Sequence, residues 1–183
     1  MMKSSFSALA VAFTFALAAP RLSAQAVAAA TGNALSVGVD YQSVNPDYGP
    51  VRSQGMGVYA NYDFSRFVGV TAELNFQTAF SHNVVFLEHS YLFGVRGEYH
   101  KKRFLPYGKV LVGGANSAVN GSFYLINAPG TYPVVAIGGG LDYRFEHHLS
   151  VRVIDYEQQE WLSYHPNGLT PGIISFGAAY RFQ

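Results

Sequence analysis

Phe67-Val68-Gly69-Val70-Thr71-Ala72-Glu73-Leu74-Asn75-Phe76 is the stretch that decides the fold. Val68, Val70, Ala72, Leu74 and Phe76 share one face, and Gly69, Thr71, Glu73 and Asn75 share the other. Successive side chains of an extended chain point to opposite sides, so the period is two and not the 3.6 of a helix. One side of the strand is apolar and the other is small and polar.

The pattern recurs in both directions. At residues 173–182, Ile174, Phe176, Ala178, Tyr180 and Phe182 oppose Ser175, Gly177, Ala179 and Arg181. At 35–42, Leu35, Val37, Val39 and Tyr41 oppose Ser36, Gly38, Asp40 and Gln42. At 55–63, Met56, Val58, Ala60 and Tyr62 oppose Gly55, Gly57, Tyr59, Asn61 and Asp63. Four further strands are expected near 85–99, 104–115, 132–145 and 149–161. Arg152 and Asp155 in the last of these stand three apart, so both can face one way only across a bulge. Eight strands is an even number, as single-chain bacterial barrels require.

The predicted connections differ in length. Three are tight, around Ser65-Arg66, Lys101-Lys102 and Glu146-His147-His148. Four are longer, at 43–53, 78–84, 116–131 and 162–170, with turn chemistry in Asn45-Pro46-Asp47, Asn127-Ala128-Pro129-Gly130 and Pro166-Asn167-Gly168. Short turns on one side and long loops on the other is the outer-membrane pattern, which puts the short turns and both termini in the periplasm.

The rest of the chain agrees with export. Lys3, the uncharged apolar run Phe6–Ala19 and the small-x-small site Ala24-Gln25-Ala26 read as a signal peptide over 1–26, cut before Val27. An uncleaved anchor is the alternative, but the run is short for a bilayer span. A short segment at 27–33 then leads to the barrel at 34–183. There is no Cys among the 183 residues, hence no lipoprotein acyl-Cys and no disulfide framework. Removing 1–26 takes away Lys3 and Arg21 and leaves ten Lys and Arg against 11 Asp and Glu, a net charge of −1. That balance offers no electrostatic case for nucleic acid. Only 13% of residues are charged, while Tyr and Phe number 13 and 14. After the signal no apolar run approaches the length of a helical span. Only helices and closed barrels satisfy every backbone group in lipid, so the fold class expected is all-β, an eight-stranded antiparallel up-and-down transmembrane barrel.

A soluble, lipocalin-like barrel would show the same alternation with its apolar face inward. The polar face here is Gly, Ser, Thr and Asn with isolated charges, too sparse in Lys and Glu for a water-facing surface. Aromatics also collect near the strand ends of the apolar face. Tyr62, Phe64, Tyr99, Tyr143, Tyr180 and Phe182 fall on the short-turn side, and Tyr41, Phe76, Tyr91 and Trp161 on the long-loop side. Two such rings match interfacial girdles, so the apolar face is assigned to lipid.

Gly138-Gly139-Gly140-Leu141-Asp142-Tyr143-Arg144, a short turn and Leu149-Ser150-Val151-Arg152 resemble the last-but-one hairpin of the outer membrane protein A barrel. In that family an acid beside a Tyr and an Arg on the next strand point into the lumen. The resemblance assigns those places to Asp142 and Arg152, a third-strand lumenal acid to Glu73 and a lumenal base to Lys109. Ala179-Tyr180-Arg181-Phe182 resembles the terminal strand signal read by the barrel-assembly machinery, carried by Tyr180 and Phe182, with Gln183 as a departure. The resemblance covers about 34–183. No peptidoglycan-binding domain follows the barrel, so anchoring through one is not expected.

Glu73, Arg96, Glu98, Lys109, Asp142, Arg144 and Arg152 are thus the expected lumenal charges. An eight-stranded lumen is just wide enough to be filled by side chains, and buried charges there must pair. The network reads either as a structural plug or as a narrow ion path opened by re-pairing. Small barrels also include lipid A acylases and deacylases. Neighbours in a strand point oppositely, which separates His89 from Ser90. Ser163 and His165 have a two-residue spacing but fall in a predicted loop, as do Ser81 and His82. No enzymatic activity, cofactor or metal is therefore expected, and His147-His148 reads as a solvated turn. His100-Lys101-Lys102-Arg103 reads as a solvated periplasmic cap or a contact for anionic headgroups. The expected role is a structural, monomeric outer-membrane barrel in a Gram-negative type envelope. Its partners would be outer-membrane lipid, lipopolysaccharide and, during biogenesis, the assembly machinery. Its polar-aromatic loops at 43–53, 116–131 and 162–170 could serve adhesion or surface interaction.

Overall fold

The computed structural model describes residues 34–47, 52–81, 84–121, 131–162 and 168–182. The expected signal peptide, the segment 27–33, the turn Asn127-Ala128-Pro129-Gly130, Pro166-Asn167 and Gln183 lie outside the described residues.

Alternating residues generate eight strands: β1 (Ala34–Asn45), β2 (Ser53–Asp63), β3 (Val68–Ser81), β4 (Val84–Glu98), β5 (Phe104–Gly121), β6 (Thr131–Arg144), β7 (Leu149–Trp161) and β8 (Gly172–Phe182). Each pairs antiparallel with the next, and β1 pairs with β8 from Leu35↔Phe182 to Asn45↔Gly172, which closes the barrel. Closure leaves no strand edge unpaired in lipid, where an unsatisfied backbone group costs several kcal/mol.

The faces divide by chemistry. Val58, Leu74, Phe76, Phe93, Val95, Val110, Val112 and Ile137 are exposed on the outer surface. Asp40, Gln42, Asn61, Thr71, Glu73, Asn75, Arg96 and Lys109 are buried inside. The soluble reading, with apolar residues inward, does not describe this barrel.

Local chemistry shapes the short turns. Ser65 Oγ accepts hydrogen bonds from the backbone N–H groups of Phe67 (3.3 Å) and Val68 (3.0 Å), folding the β2–β3 turn back on itself. Lys102 takes φ of 59° in the β4–β5 turn, a left-handed conformation uncommon outside Gly, Asn and Asp.

Two expectations need correction. The connection predicted at 78–84 is only the tip 82–83, because Thr78↔Leu87, Ala79↔Phe86, Phe80↔Val85 and Ser81↔Val84 continue the β3–β4 ladder. β5 likewise runs on to Gly121, beside Val84. β-branched and aromatic residues suit this extension, and these strands exceed the ~9–11 residues that cross a bilayer. Secondly, Trp161 does not belong to an outer girdle. It is 1% exposed and packs inside with Leu92, Leu111, Ala115, Val134, Ala136 and Leu169. This apolar cluster occupies the loop end of the lumen beneath β4–β7. Trp161 N donates to Leu169 O at 2.8 Å, tying the end of the β7–β8 connection over it.

Among the described residues one bulge interrupts the barrel. Between Arg152 and Asp155, β7 takes three steps where β8 takes two, from Gly177 to Ser175. β6 also takes two, from Asp142 to Gly140, with Leu141 opposite Ile154. Val153 is therefore the residue in excess of both neighbours. Val153 and Ile154 are both exposed, whereas Arg152 and Asp155 are both buried.

Candidate functional site

The site is the ion-pair network filling the lumen. Each member comes from the inward register of its strand: Asp40 on β1, Glu73 on β3, Arg96 and Glu98 on β4, Lys109 on β5, Asp142 on β6, and Arg152, Asp155 and Glu157 on β7.

Two centres organise it. Lys109 Nζ lies 2.7 Å from Glu73 Oε1, 2.8 Å from Glu157 Oε2 and 3.1 Å from Asp155 Oδ2. Three carboxylates thus surround one ammonium, whose three donors match them in number. Arg96 Nη2 lies 2.7 Å from Asp142 Oδ2 and 3.3 Å from Glu98 Oε2. Arg152 joins the two. Its Nη1 is 3.0 Å from Asp40 Oδ2 and 3.7 Å from Asp155 Oδ2, and its Nε is 3.8 Å from Asp142 Oδ1.

Two tyrosines hold the guanidiniums flat. The Arg152 guanidinium sits 3.5 Å from the Tyr59 ring centre, and that of Arg96 sits 3.9 Å from the Tyr107 ring centre. Cation–π attraction strengthens where water is excluded. Tyr107 Oη also donates to Asp155 Oδ2. Tyr59 lies over Gly38, its cross-strand partner, where an added Cβ would come within 2.7 Å of the Tyr59 hydroxyl. Glycine at position 38 is what allows the ring to lie down.

A polar chain continues towards the loop end. Trp161 Nε1 donates to Gln159 Oε1 (2.8 Å), and Gln159 Nε2 donates to Glu157 Oε1 (2.8 Å). Gln42 Nε2 donates to Asp40 Oδ1 (2.9 Å) and to Asn75 Oδ1 (2.6 Å), and Asn75 Nδ2 donates to Ser90 Oγ (3.1 Å). The donors of the first chain run towards the Glu157 carboxylate, whereas those of the second fork at Gln42, one to Asp40 and one through Asn75 to the Ser90 hydroxyl. At the opposite, short-turn mouth a cavity of about 20 Å³ remains, bordered by Arg96, Glu98, Asp142, Arg144 and Arg181. His100 stands at this mouth, its Nε2 3.1 Å from Glu98 Oε1. Burial, then the nearby Arg144 and Arg181, hold the His100 imidazole below its ordinary pKa.

Of the residues singled out in the sequence, Glu73, Arg96, Glu98, Lys109, Asp142 and Arg152 are brought together in the lumen. Arg144 is not among them; it is half-buried at the mouth and in no ion pair with a described residue. Sequence reading missed Asp40, Asp155 and Glu157. Asp40 shares the inward face with Gln42, a signal that was present. Asp155 and Glu157 needed the bulge. Of the aromatics, Tyr41, Tyr62, Phe76, Tyr91, Tyr99, Tyr180 and Phe182 are exposed on the outer face. Tyr143 is half-buried, edge-on to Phe104 at 5.2 Å. His89 is exposed outside while Ser90 is buried inside, so that pair is split across the wall. His82, Ser163 and His165 lie outside the described residues.

Comparison with known proteins agrees with this geometry. Neisserial surface protein A superposes with a TM-score of 0.66 at 11% identity, over 81% of this chain and 96% of that one. The outer membrane protein OprG of Pseudomonas aeruginosa gives 0.61 at 11% identity, over 84% and 97%. The attachment invasion locus protein Ail of Yersinia pestis gives 0.55 at 18% identity, over 84% and 100%, in a complex with the heparin analogue sucrose octasulfate. At such identities the likeness concerns the fold alone. No curated protein matches the sequence. The family model for the outer membrane protein β-barrel domain matches residues 9–182. The chain is accordingly an outer-membrane β-barrel, a member of the outer membrane protein β-barrel domain family.

Proposed function

We propose that this chain is a closed structural barrel that presents its loop end to the cell exterior for surface interaction. The observation that carries the reading is the lumen. Arg96, Lys109 and Arg152 are buried in interlocking ion pairs, and Trp161 and Leu169 pack above them. A filled interior leaves function to the exterior, where the connections 46–52, 122–130 and 162–171 emerge.

The chemistry of that end limits the partner. The heparin analogue in the Ail complex is a polyanion. The predicted loops of this chain carry one cation, Arg52, and are otherwise rich in Tyr, Phe, Asn, Ser and Pro. Contact through aromatic and hydrogen-bonding groups fits such loops better than capture of a polyanion.

The test combines two measurements. Cells displaying the full chain are compared with cells displaying a variant shortened within 122–130, for adherence to host-type surfaces and to one another. Adherence should fall with the loop while the heat-modifiable gel band stays. Equal adherence overturns the surface role. In planar bilayers the chain should show no steady current. Buried carboxylates outnumber buried cations eight to three among the described residues, so a conducting state would favour cations. Steady cation-selective steps that shift with Lys109→Met overturn the closed-barrel reading.

A further inference from the structure

The cations of this chain are gathered at one end. Of its 12 Lys and Arg, Arg66, Lys101, Lys102, Arg103, Arg144 and Arg181 belong to the short-turn end. Arg66, Lys101, Lys102 and Arg103 are exposed, and none is in an ion pair with a described residue. Asp63 and Glu98, the acids nearest in the fold, are buried, with Glu98 turned to Arg96 and His100. Glu146 is the exposed acid of this end.

Aromatic side chains surround these cations. Phe64, Phe67, Tyr99, Phe104, Phe145, Tyr180 and Phe182 are exposed on the outer face at the same end. The Arg66 guanidinium lies over the Phe67 ring at 5.6 Å, and His148 stacks on Tyr180 at 5.6 Å. Exposed aromatics of this kind sit at the level of lipid headgroups. Backbone hydrogen bonds tie each turn to the next strand: Glu98 N to Phe67 O (2.9 Å), Arg144 N to Arg103 O (2.8 Å) and Arg181 N to His148 O (2.8 Å). The cations therefore stand on a hydrogen-bonded collar among these exposed aromatics.

We infer that this basic-aromatic collar is a binding surface for anionic phospholipid headgroups of the periplasm-facing leaflet. Exposed cations with no carboxylate partner among the described residues attract an anionic surface, and the attraction fades within a Debye length. The headgroup phosphate supplies the acceptors that the described protein groups do not. The inference concerns the end opposite the loops and stands whether or not those loops bind a partner.

The test reconstitutes the full chain in phosphatidylcholine bilayers. It measures the association of spin-labelled phosphatidylglycerol relative to spin-labelled phosphatidylcholine. At low salt the wild-type chain should prefer the anionic probe several-fold, and high salt should bring the ratio to parity. The combined variant Arg66→Gln, Lys101→Gln, Lys102→Gln and Arg103→Gln should show parity at low salt. Arg52→Gln, at the other end, should keep the preference. Parity in the wild type, a preference that survives high salt, or an unchanged preference in the combined variant overturns the inference. If the combined variant does not fold, Lys101→Gln and Arg103→Gln singly should each lower the ratio, and no change in either is equally fatal. A preference lost just as fully in Arg52→Gln would place the binding at the loop end and overturn it too.

Discussion

β3 and β7 face each other across the lumen and build the same network by different means. β3 alternates without interruption from Val68 to Gln77, placing Glu73 inward and Leu74 outward. β7 alternates as far as Arg152, spends two residues outward at Val153 and Ile154, and resumes with Asp155 inward. The regular strand delivers one carboxylate to Lys109 and the bulged strand delivers two. Were these same residues to alternate strictly through Val153 and Ile154, with no bulge, Asp155 and Glu157 would face acyl chains. The bulge thus lets this sequence bring three acids to the lumenal cation where strict alternation would bring one.

The largest test of this contrast is deletion. Removing Leu74 from β3 shifts every later residue of that strand to the opposite face, sending Asn75 and Gln77 into lipid and Phe76 into the lumen. No folded, heat-modifiable band should form. Removing Val153 should restore a plain alternation matching both β6 and β8, and the folded band should persist. A ΔVal153 chain that fails as ΔLeu74 does would break the comparison.

Next comes the cation that both strands serve. Lys109→Met leaves Glu73, Asp155 and Glu157 facing one another without a counter-charge. Urea unfolding in vesicles should show a loss of about 3–5 kcal/mol, the usual cost of breaking a buried pair. Adding Glu157→Gln should recover part of it. Trp161→Ala removes the largest side chain of the apolar cluster at the end of β7 and should cost about 3–4 kcal/mol through the cavity it leaves. A loss of only a few tenths would mean that Trp161 is not packed inside.

The smallest effect concerns the mouth. His100 has a folded-state pKa below its ordinary value, so folding favours the neutral ring. Its contribution is present above the ordinary imidazole pKa of about 6.5 and is lost as pH falls through the depressed folded value. His100→Gln should reduce the acid sensitivity of unfolding in that window and leave stability at higher pH nearly unchanged. Parallel pH profiles for both chains would contradict the burial of His100.

The sequence reveals the walls of this barrel better than its contents. Alternation alone locates all eight strands, because one face had to be apolar for lipid. It also marks Glu73, Arg96, Lys109 and Asp142 as inward. It fails where the interior is not polar. Trp161 looks like a girdle aromatic because an apolar residue on a lipid-crossing strand is assumed to face lipid, whereas the loop end of the lumen is itself apolar around Leu111 and Val134. It fails again where the period changes phase. The three-residue spacing of Arg152 and Asp155 hints at a bulge, but which residue is extra is settled only by the ladders on both sides. Arg144 shows a further limit, since the inward register at a strand end leads to the mouth and not to the interior.

The chain has one tryptophan, and its indole N–H begins the relay through Gln159 and Glu157 that ends on Lys109. Tryptophan fluorescence, excited apart from the 13 tyrosines, therefore comes from a single lamp mounted inside the barrel. Any rearrangement of the charged interior should alter its emission colour and quenching without a label having to be attached.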